Sequence, residues 1–284
     1  MRSMAWLPAA TLLSTRVVLA GVPVPSSVIR FASLDSSHPF QVSGTLYIPK
    51  ANPMSRRPAV VLVHGTAGIG SVGAFHRQAL LDAGLVVLEV DFKTGVYASR
   101  MDRPPFEYFL PMAFAALKAL RAKPSVDPNR IGILGFSMGG GVALRTAVEA
   151  ERCAWMGQDR GFAAIVAFYP VCKSFIPTAE RVGALTGAPI LVAYGTRDAY
   201  GEKAAVPELK RVLRERFHFD LETLALPGAP HAFDRQGPPL HYPAPMADGG
   251  EGYTAWNPHA AQAARARMVA FFRKQLTDPE RQGN

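Results

Sequence analysis

The sequence predicts an α/β fold in which a mostly parallel sheet of about eight strands is covered by helices on both faces. Three observations indicate this class. Apolar runs of strand length alternate along the chain with longer segments of helical periodicity. Residues 59–63, AVVLV, are apolar throughout, which is typical of a strand buried on both faces. Hydrophobic residues make up 49% of the 284 residues, enough for a sizeable core.

Local patterns place each element in chain order. Strands are predicted at 42–48, 59–63, 85–90, 130–134, 163–168, 189–194 and 221–226. Helices are predicted at 74–83, 106–122, 139–150, 202–217 and 258–276. Because no linker or repeat divides the sequence after its first part, residues 21–284 are expected to form one domain.

Residues 1–20 are similar to a secretory signal, since a basic residue precedes an apolar run and small residues follow it. Pro8 and Arg16 interrupt the apolar run, so two locations stay open. The protein is secreted or periplasmic if this segment is a signal peptide, and cytoplasmic if it is not. The state of Cys153 and Cys172 depends on the same two locations. They could form a disulfide in an exported protein, whereas free thiols are expected in a cytoplasmic one.

The formal net charge of +9 favours neither nucleic acid nor a membrane as a partner. Lysine and arginine are scattered along the chain, whereas a nucleic-acid footprint is a basic patch with a recognisable motif. A solvated basic surface explains the charge. No segment after the leader is long and apolar enough to span a bilayer. The expected partner is a small molecule, and the sequence does not indicate an oligomeric state.

Ser137 lies between glycines in residues 131–141, IGILGFSMGGG, directly after an apolar run. The pattern G-x-S-x-G is typical of a sharp turn from a strand into a helix, which exposes the serine. Such a serine is either a nucleophile or only a small residue in a tight turn. A nucleophile needs a base, an acid and an oxyanion site.

Asp198 and His231 supply an acid and a base in the expected place. Functional groups of open α/β sheets collect in loops beyond the carboxyl ends of the strands. Asp198 follows the predicted strand 189–194, and His231 follows the last one, 221–226. The order Ser137, Asp198, His231 is that of α/β-hydrolases. The sequence therefore predicts an α/β-hydrolase fold with Ser137 as nucleophile, His231 as base and Asp198 orienting that base.

The oxyanion site is expected at two loops. The amide of Met138, directly after the nucleophile, is one predicted donor. The other is the amide of Thr66 or Ala67 in the loop HGTAG after strand 59–63, and the sequence does not separate the two. His64 is expected to shape this loop by hydrogen bonding. Neither a metal nor a cofactor is predicted.

From about residue 30 to residue 276, the chain resembles the dienelactone hydrolase family of α/β-hydrolases. The resemblance is carried by HGTAG, by residues 127–140 (DPNRIGILGFSMGG), and by the short motifs FYP, YGTRD and HAFD. It implies hydrolysis of a carboxylic ester or lactone without a metal. The chain departs from the family at position 137, because dienelactone hydrolases proper have a cysteine nucleophile there.

Substrate contacts are predicted from two sources. The resemblance implies that Arg100 and Arg235 hold a substrate carboxylate, which arginine can bind through two parallel hydrogen bonds. Residues 235–257 form a long segment rich in glycine and proline that directly follows the base. We expect it to form a wall or flap over the ester pocket with Tyr253 and Trp256, or else to pack on the closing helix.

Serine-dependent ester hydrolysis through an acyl-enzyme is the leading function. Fold and triad do not determine the acceptor or the leaving group, so acyl transfer and peptide cleavage stay open. A non-catalytic binding protein on the same fold is the third class.

Overall fold

The computed structural model describes residues 25–49, 56–93 and 108–277. Within them, one sheet of eight strands has the order β1-β2-β4-β3-β5-β6-β7-β8. The strands are Ser26–Ala32 (β1), Gln41–Tyr47 (β2), Arg57–Val63 (β3), Val86–Asp91 (β4), Val126–Phe136 (β5), Ala164–Phe168 (β6), Ile190–Gly195 (β7) and Glu222–Leu226 (β8). β1 and β2 are antiparallel to their neighbours, and the strands from β4 to β8 in the sheet order pair in parallel. The predicted mostly parallel sheet is confirmed.

Seven described helices cover the sheet on both faces. They are Ser71–Asp82 (α1), Phe109–Arg121 (α2), Met138–Arg145 (α3), Glu149–Met156 (α4), Cys172–Arg181 (α5), Glu202–Phe217 (α6) and Pro258–Leu276 (α7). Helices α1 and α7 pack on one face, and α2 to α6 contribute to the apolar cluster on the other. Because side chains alternate along a strand, Val60 and Leu62 of β3 face α1, whereas Val61 and Val63 face α2.

Two predicted elements differ from the structure. The predicted helix 139–150 is two helices, because the backbone is extended at Val148, which forms a β-bridge with Leu185. The edge strand β1 was not predicted, since its mostly exposed residues lack a buried face. A further strand pair, Leu240–Pro243 (β9) and Glu251–Thr254 (β10), forms a two-stranded sheet within residues 235–257.

The two cysteines do not form a disulfide. Cys153 is exposed on α4 and Cys172 is buried at the start of α5, and both are free thiols.

The leader 1–20 lies outside the described residues, as does Arg100. Over 25–49, 56–93 and 108–277, no helix has the length and hydropathy that a membrane span requires. In the same ranges, no group of three or more His, Cys, Asp or Glu is arranged to hold a metal ion.

Candidate active site

Ser137 occupies the single residue between β5 and α3. Its backbone has φ 51° and ψ −116°, a conformation that residues other than glycine rarely adopt. Two backbone hydrogen bonds hold it there. Its N–H donates to the carbonyl of Phe168 at 3.0 Å, and its own carbonyl accepts from the N–H of Gly141 at 3.0 Å. The strand and helix thus impose the strained turn that the G-x-S-x-G pattern predicts.

The glycines beside Ser137 allow strand, helix and loop to approach closely. A Cβ on Gly135 would lie 2.0 Å from the carbonyl oxygen of Gly139. A Cβ on Gly139 would lie 2.5 Å from the carbonyl oxygen of Val63, at the end of β3. Both distances are far below van der Waals contact, so the backbones could not stay where they are. The spacing of the glycines is therefore a packing requirement.

Ser137, His231 and Asp198 form a continuous chain of hydrogen bonds. The Oγ of Ser137 lies 2.9 Å from Nε2 of His231, and Nδ1 of His231 lies 2.8 Å from Oδ2 of Asp198. The other carboxylate oxygen, Oδ1, accepts from the N–H of Tyr200 at 2.9 Å. Since an ionised carboxylate only accepts, Nδ1 of His231 carries the proton, and Nε2 is free to accept from the serine hydroxyl.

His231 is held between two aromatic rings. Tyr169, from the segment after β6, lies 4.9 Å from it between ring centroids, and Tyr200 lies 4.5 Å away. The backbone of His231 forms a β-bridge with Thr254 of β10. Only 3% of His231 is exposed, so its imidazole has little freedom to turn away from Ser137.

A cavity of about 580 Å³ opens above Ser137 and His231. Thr66 and Ala67 line it, and Met138 begins α3 beside the serine. Both residues predicted as the second oxyanion donor therefore lie at the cavity. In this cavity, a substrate carbonyl would meet a hydroxyl, a base and the amide-bearing start of a helix.

His64 holds the loop between β3 and α1 in place. Its Nε2 accepts the N–H of Phe92 at 3.1 Å, so its Nδ1 carries the proton and donates to the carbonyl of Gly65 at 2.7 Å. Both ring nitrogens are thereby engaged, and the side chain is 4% exposed. His64 shapes the loop, as the sequence predicts.

The predicted substrate contacts are divided between two depressions. Arg235 lines the cavity of Ser137, and its Nη1 donates to the carbonyl of Pro238 at 3.0 Å. Tyr253 and Trp256 line a separate depression, so the structure does not bring them to the cavity of Ser137. Side chains alternate along β10, and it is Thr254 that faces the cavity.

Residues 235–257 nevertheless form one wall of the cavity, in agreement with the predicted position of that segment. Gln236, Leu240 and Tyr242 line it. The alternative contact is present too, because Trp256 packs against the apolar cluster that α7 joins. The cavity residues that sequence reasoning missed include Tyr169 and Tyr200. Tyr169 belongs to the motif FYP and Tyr200 lies two residues after YGTRD, but no periodic pattern around either residue indicates where its side chain points.

A second buried carboxyl lies near Asp198. Glu202, at the start of α6, is fully buried, and its Oε1 accepts the N–H of Cys172 at 2.6 Å, which caps α5. Burial raises the pKa of Glu202 from 4.5 to about 7, and the charge of Asp198 adds to the effect. The folded protein therefore holds a proton on Glu202 at a pH where the unfolded chain has released it.

We expect Glu202 to make folding stability fall between about pH 4.5 and pH 7. The pKa of Glu202 is higher in the folded state, so the folded state binds more protons than the unfolded state in this window. As a result, the free energy of unfolding is lower by about 3 kcal/mol at pH 7 than below pH 4.5. Below pH 4.5 the penalty is absent. In Glu202→Gln this contribution to the slope should disappear, whereas the exposed Glu180→Gln should keep it. Urea unfolding over a pH series measures the slope, and an unaltered slope in Glu202→Gln would contradict the assignment.

Comparison with known proteins identifies the family of the chain. The sequence model of the Dienelactone hydrolase family matches residues 42–276. An uncharacterized protein of Mycobacterium tuberculosis, Rv2307c, is 31% identical over 189 residues, which are 62% of this chain and 66% of that protein. The chain thus spans slightly less than two thirds of the length of that curated relative.

Two solved structures share the fold. One is the crystal structure of P91, a dienelactone hydrolase-like promiscuous phosphotriesterase from metagenomic libraries, with TM-score 0.61, 20% identity, and 88% of this chain and 98% of that chain covered. The other is Thermogutta terrifontis esterase 2 phosphorylated by paraoxon, with TM-score 0.61, 20% identity, and coverage of 88% and 94%. At such identity they establish the architecture. The chain has the α/β-hydrolase fold and belongs to the dienelactone hydrolase family.

Proposed function

We propose that this protein is a serine hydrolase that cleaves a carboxylic ester or lactone through an acyl-enzyme. The observation that carries the proposal is the hydrogen-bonded chain from Ser137 through His231 to Asp198 at the base of a cavity. A serine hydroxyl is a weak nucleophile unless a base within hydrogen-bond reach takes its proton, and the 2.9 Å contact to Nε2 meets that requirement.

In the proposed reaction, Oγ of Ser137 attacks the carbonyl carbon while Nε2 of His231 takes the hydroxyl proton. The oxyanion that forms accepts hydrogen bonds from the amide of Met138 and from an amide of the loop that follows β3. Each such donor is typically worth about 3 kcal/mol of barrier. Collapse breaks the ester bond, and His231 returns the proton to the leaving alcohol. A water then attacks the acyl-enzyme by the same route and restores Ser137, while Asp198 stays ionised throughout.

The rim of the cavity supports an ester with an apolar part. Ile69 and Leu240 both line the cavity, although 48% and 45% of their surfaces are exposed to solvent. Arg235 adds a cationic group to the lining of this cavity, so we propose that its guanidinium contacts a substrate carboxylate. The solved Thermogutta terrifontis esterase 2 is butyrate-bound in one structure and phosphorylated by paraoxon in another, which supports ester substrates and organophosphorus reagents for the fold shared here.

Labelling with a fluorophosphonate tests the nucleophile directly. We expect stoichiometric labelling of the wild type at Ser137, located by mass spectrometry of the peptide, because the reagent traps a serine activated by a base. Ser137→Ala should not be labelled. Ser71→Ala removes another serine of the same cavity and should be labelled normally. An unlabelled wild type, or labelled Ser137→Ala, would remove the proposal.

A substrate panel then tests the reaction class. We expect the wild type to turn over aryl and alkyl carboxylic esters or lactones. Turnover confined to peptide amides, or transfer to an added alcohol with no hydrolysis, would favour the peptidase or acyltransferase instead.

A further inference from the structure

A second buried polar cluster lies behind His231, and the proposed reaction does not use it. Asp234 accepts hydrogen bonds on both carboxylate oxygens. The hydroxyl of Tyr169 donates to Oδ1 at 2.5 Å, and Nε2 of His76 donates to Oδ2 at 2.7 Å. All three residues are at most 1% exposed. They come from α1, from the segment after β6 and from the loop after β8, so the cluster ties together three separate parts of the chain.

Asp234 is the acceptor of this cluster, and Tyr169 and His76 are its donors. Burial, ahead of the neighbouring Asp234 charge, raises the pKa of the Tyr169 phenol well above its usual value, so the hydroxyl keeps its proton and donates. Nδ1 of His76 has no hydrogen-bond partner among the described residues, and the ring lies against Phe75, Phe136 and Phe168. Nε2 of His76 therefore carries a proton, and its bond to Asp234 is the one hydrogen bond that this ring makes to the described residues.

The cluster contacts His231 in two ways. Asp234 lies three residues after His231, within a tight turn in which the N–H of Arg235 donates to the carbonyl of Ala232 at 2.9 Å. Ala232 has φ 47° in that turn, a conformation that persists only where the surroundings hold it. In addition, the ring of Tyr169 packs edge-on against the imidazole of His231, with 4.9 Å between centroids.

Tyr169 is itself fixed at both ends. It has φ 39°, another positive value at a residue other than glycine, and its N–H donates to the carbonyl of Ala193 at 2.7 Å. Its hydroxyl is held by Asp234. The ring beside His231 is therefore anchored through its backbone and through its phenol, and Asp234 in turn is anchored by His76.

We propose that Tyr169, Asp234 and His76 are positioning residues that hold the imidazole of His231 in hydrogen-bond contact with Ser137. The inference rests on the proposed serine-hydrolase function. It extends that function by assigning the orientation of the base to two partners, Asp198 at Nδ1 and the Tyr169 ring with its Asp234 anchor. A misplacement of about 1 Å in a catalytic group can cost about a hundredfold in rate, so a device that limits such movement has a measurable role.

Removal of single groups tests the proposal. In Tyr169→Phe the ring stays and only the anchoring hydroxyl is lost, and we expect kcat to fall about tenfold with KM changed less than about twofold. His76→Leu should behave alike. In His76→Gln the side-chain amide can donate to Asp234 again, so most of kcat should return. Tyr47→Phe, a tyrosine of β2 outside the cluster, should have wild-type kcat and KM.

A pH profile separates positioning from loss of structure. Several charged or titratable groups surround His231. They are Asp198 of the loop after β7, Glu202 of α6, the phenols of Tyr169, Tyr200 and Tyr242, and Arg235 of the cavity wall. Asp234→Asn removes one negative charge from the far side of the Tyr169 ring. The acid limb of kcat/KM should then move to lower pH by roughly half a unit, because the charged form of the base loses a nearby anion. Partial unfolding would lower kcat/KM without moving that limb.

The outcomes are distinguishable. Failure of fluorophosphonate to label wild-type Ser137 would overturn the proposed function. Wild-type labelling together with an unchanged kcat in Tyr169→Phe and His76→Leu would overturn only the positioning role. Equal losses in His76→Leu and His76→Gln, with an acid limb that does not move in Asp234→Asn, would also overturn it, because the cluster would then be structural alone.

Discussion

Replacement of His231 by alanine should lower kcat for ester hydrolysis by about 10⁴- to 10⁶-fold with the fold intact. His231 is the base that takes the Ser137 proton in the proposed reaction, and its ring contacts the hydroxyl at 2.9 Å. Without it, the hydroxyl must lose its proton to water. Steady-state kinetics at saturating ester, with circular dichroism on the same sample, measure the effect.

Two further variants sharpen this expectation. The double variant Ser137→Ala with His231→Ala should lose no more activity than either single variant, because nucleophile and base act as one unit. His241→Ala removes an exposed histidine of β9 that is paired with Glu251, and it should retain wild-type kcat. A His231→Ala protein with more than about a hundredth of wild-type kcat would contradict the assigned base.

Strand ends made the central residues of the site predictable. Each of Ser137, Asp198 and His231 follows a buried apolar run, and parallel strands bring their carboxyl ends to one edge of the sheet. The chain order then assigned a role to each. The structure joins the three residues by hydrogen bonds. Their roles as nucleophile, base and acid are tested by the proposed experiments.

Contacts between distant segments, and the direction of side chains in short irregular strands, could not be predicted. His76 and Asp234 are separated by 158 positions, and no local pattern relates a histidine in α1 to an aspartate after β8. Tyr253 and Thr254 differ by one position in β10, and that single step decides which of them reaches the cavity. Periodicity predicts such a direction only where one face of a strand is clearly apolar.

Gly135→Ala should produce the largest loss of folding stability among substitutions that add one methyl group near the site. The new Cβ would lie 2.0 Å from the Gly139 oxygen, 2.4 Å from its carbon and 2.7 Å from the nitrogen of Gly140. All three atoms are backbone, so no side chain can turn away, and β5 and α3 must separate. We expect a loss of about 3 kcal/mol or more in urea unfolding, at or beyond the upper end for overpacked cores.

The matched control for Gly135→Ala is Gly183→Ala, since a Cβ at that exposed glycine would meet nothing within 4 Å. Its stability should stay within about 0.5 kcal/mol of the wild type. If Gly135→Ala is insoluble, its soluble fraction relative to Gly183→Ala gives the same comparison. Separation of β5 from α3 also moves Ser137, which lies between them, so any folded Gly135→Ala should react slowly with fluorophosphonate. Equal stability and equal labelling of the two variants would show that the G-x-S-x-G turn does not require Gly135.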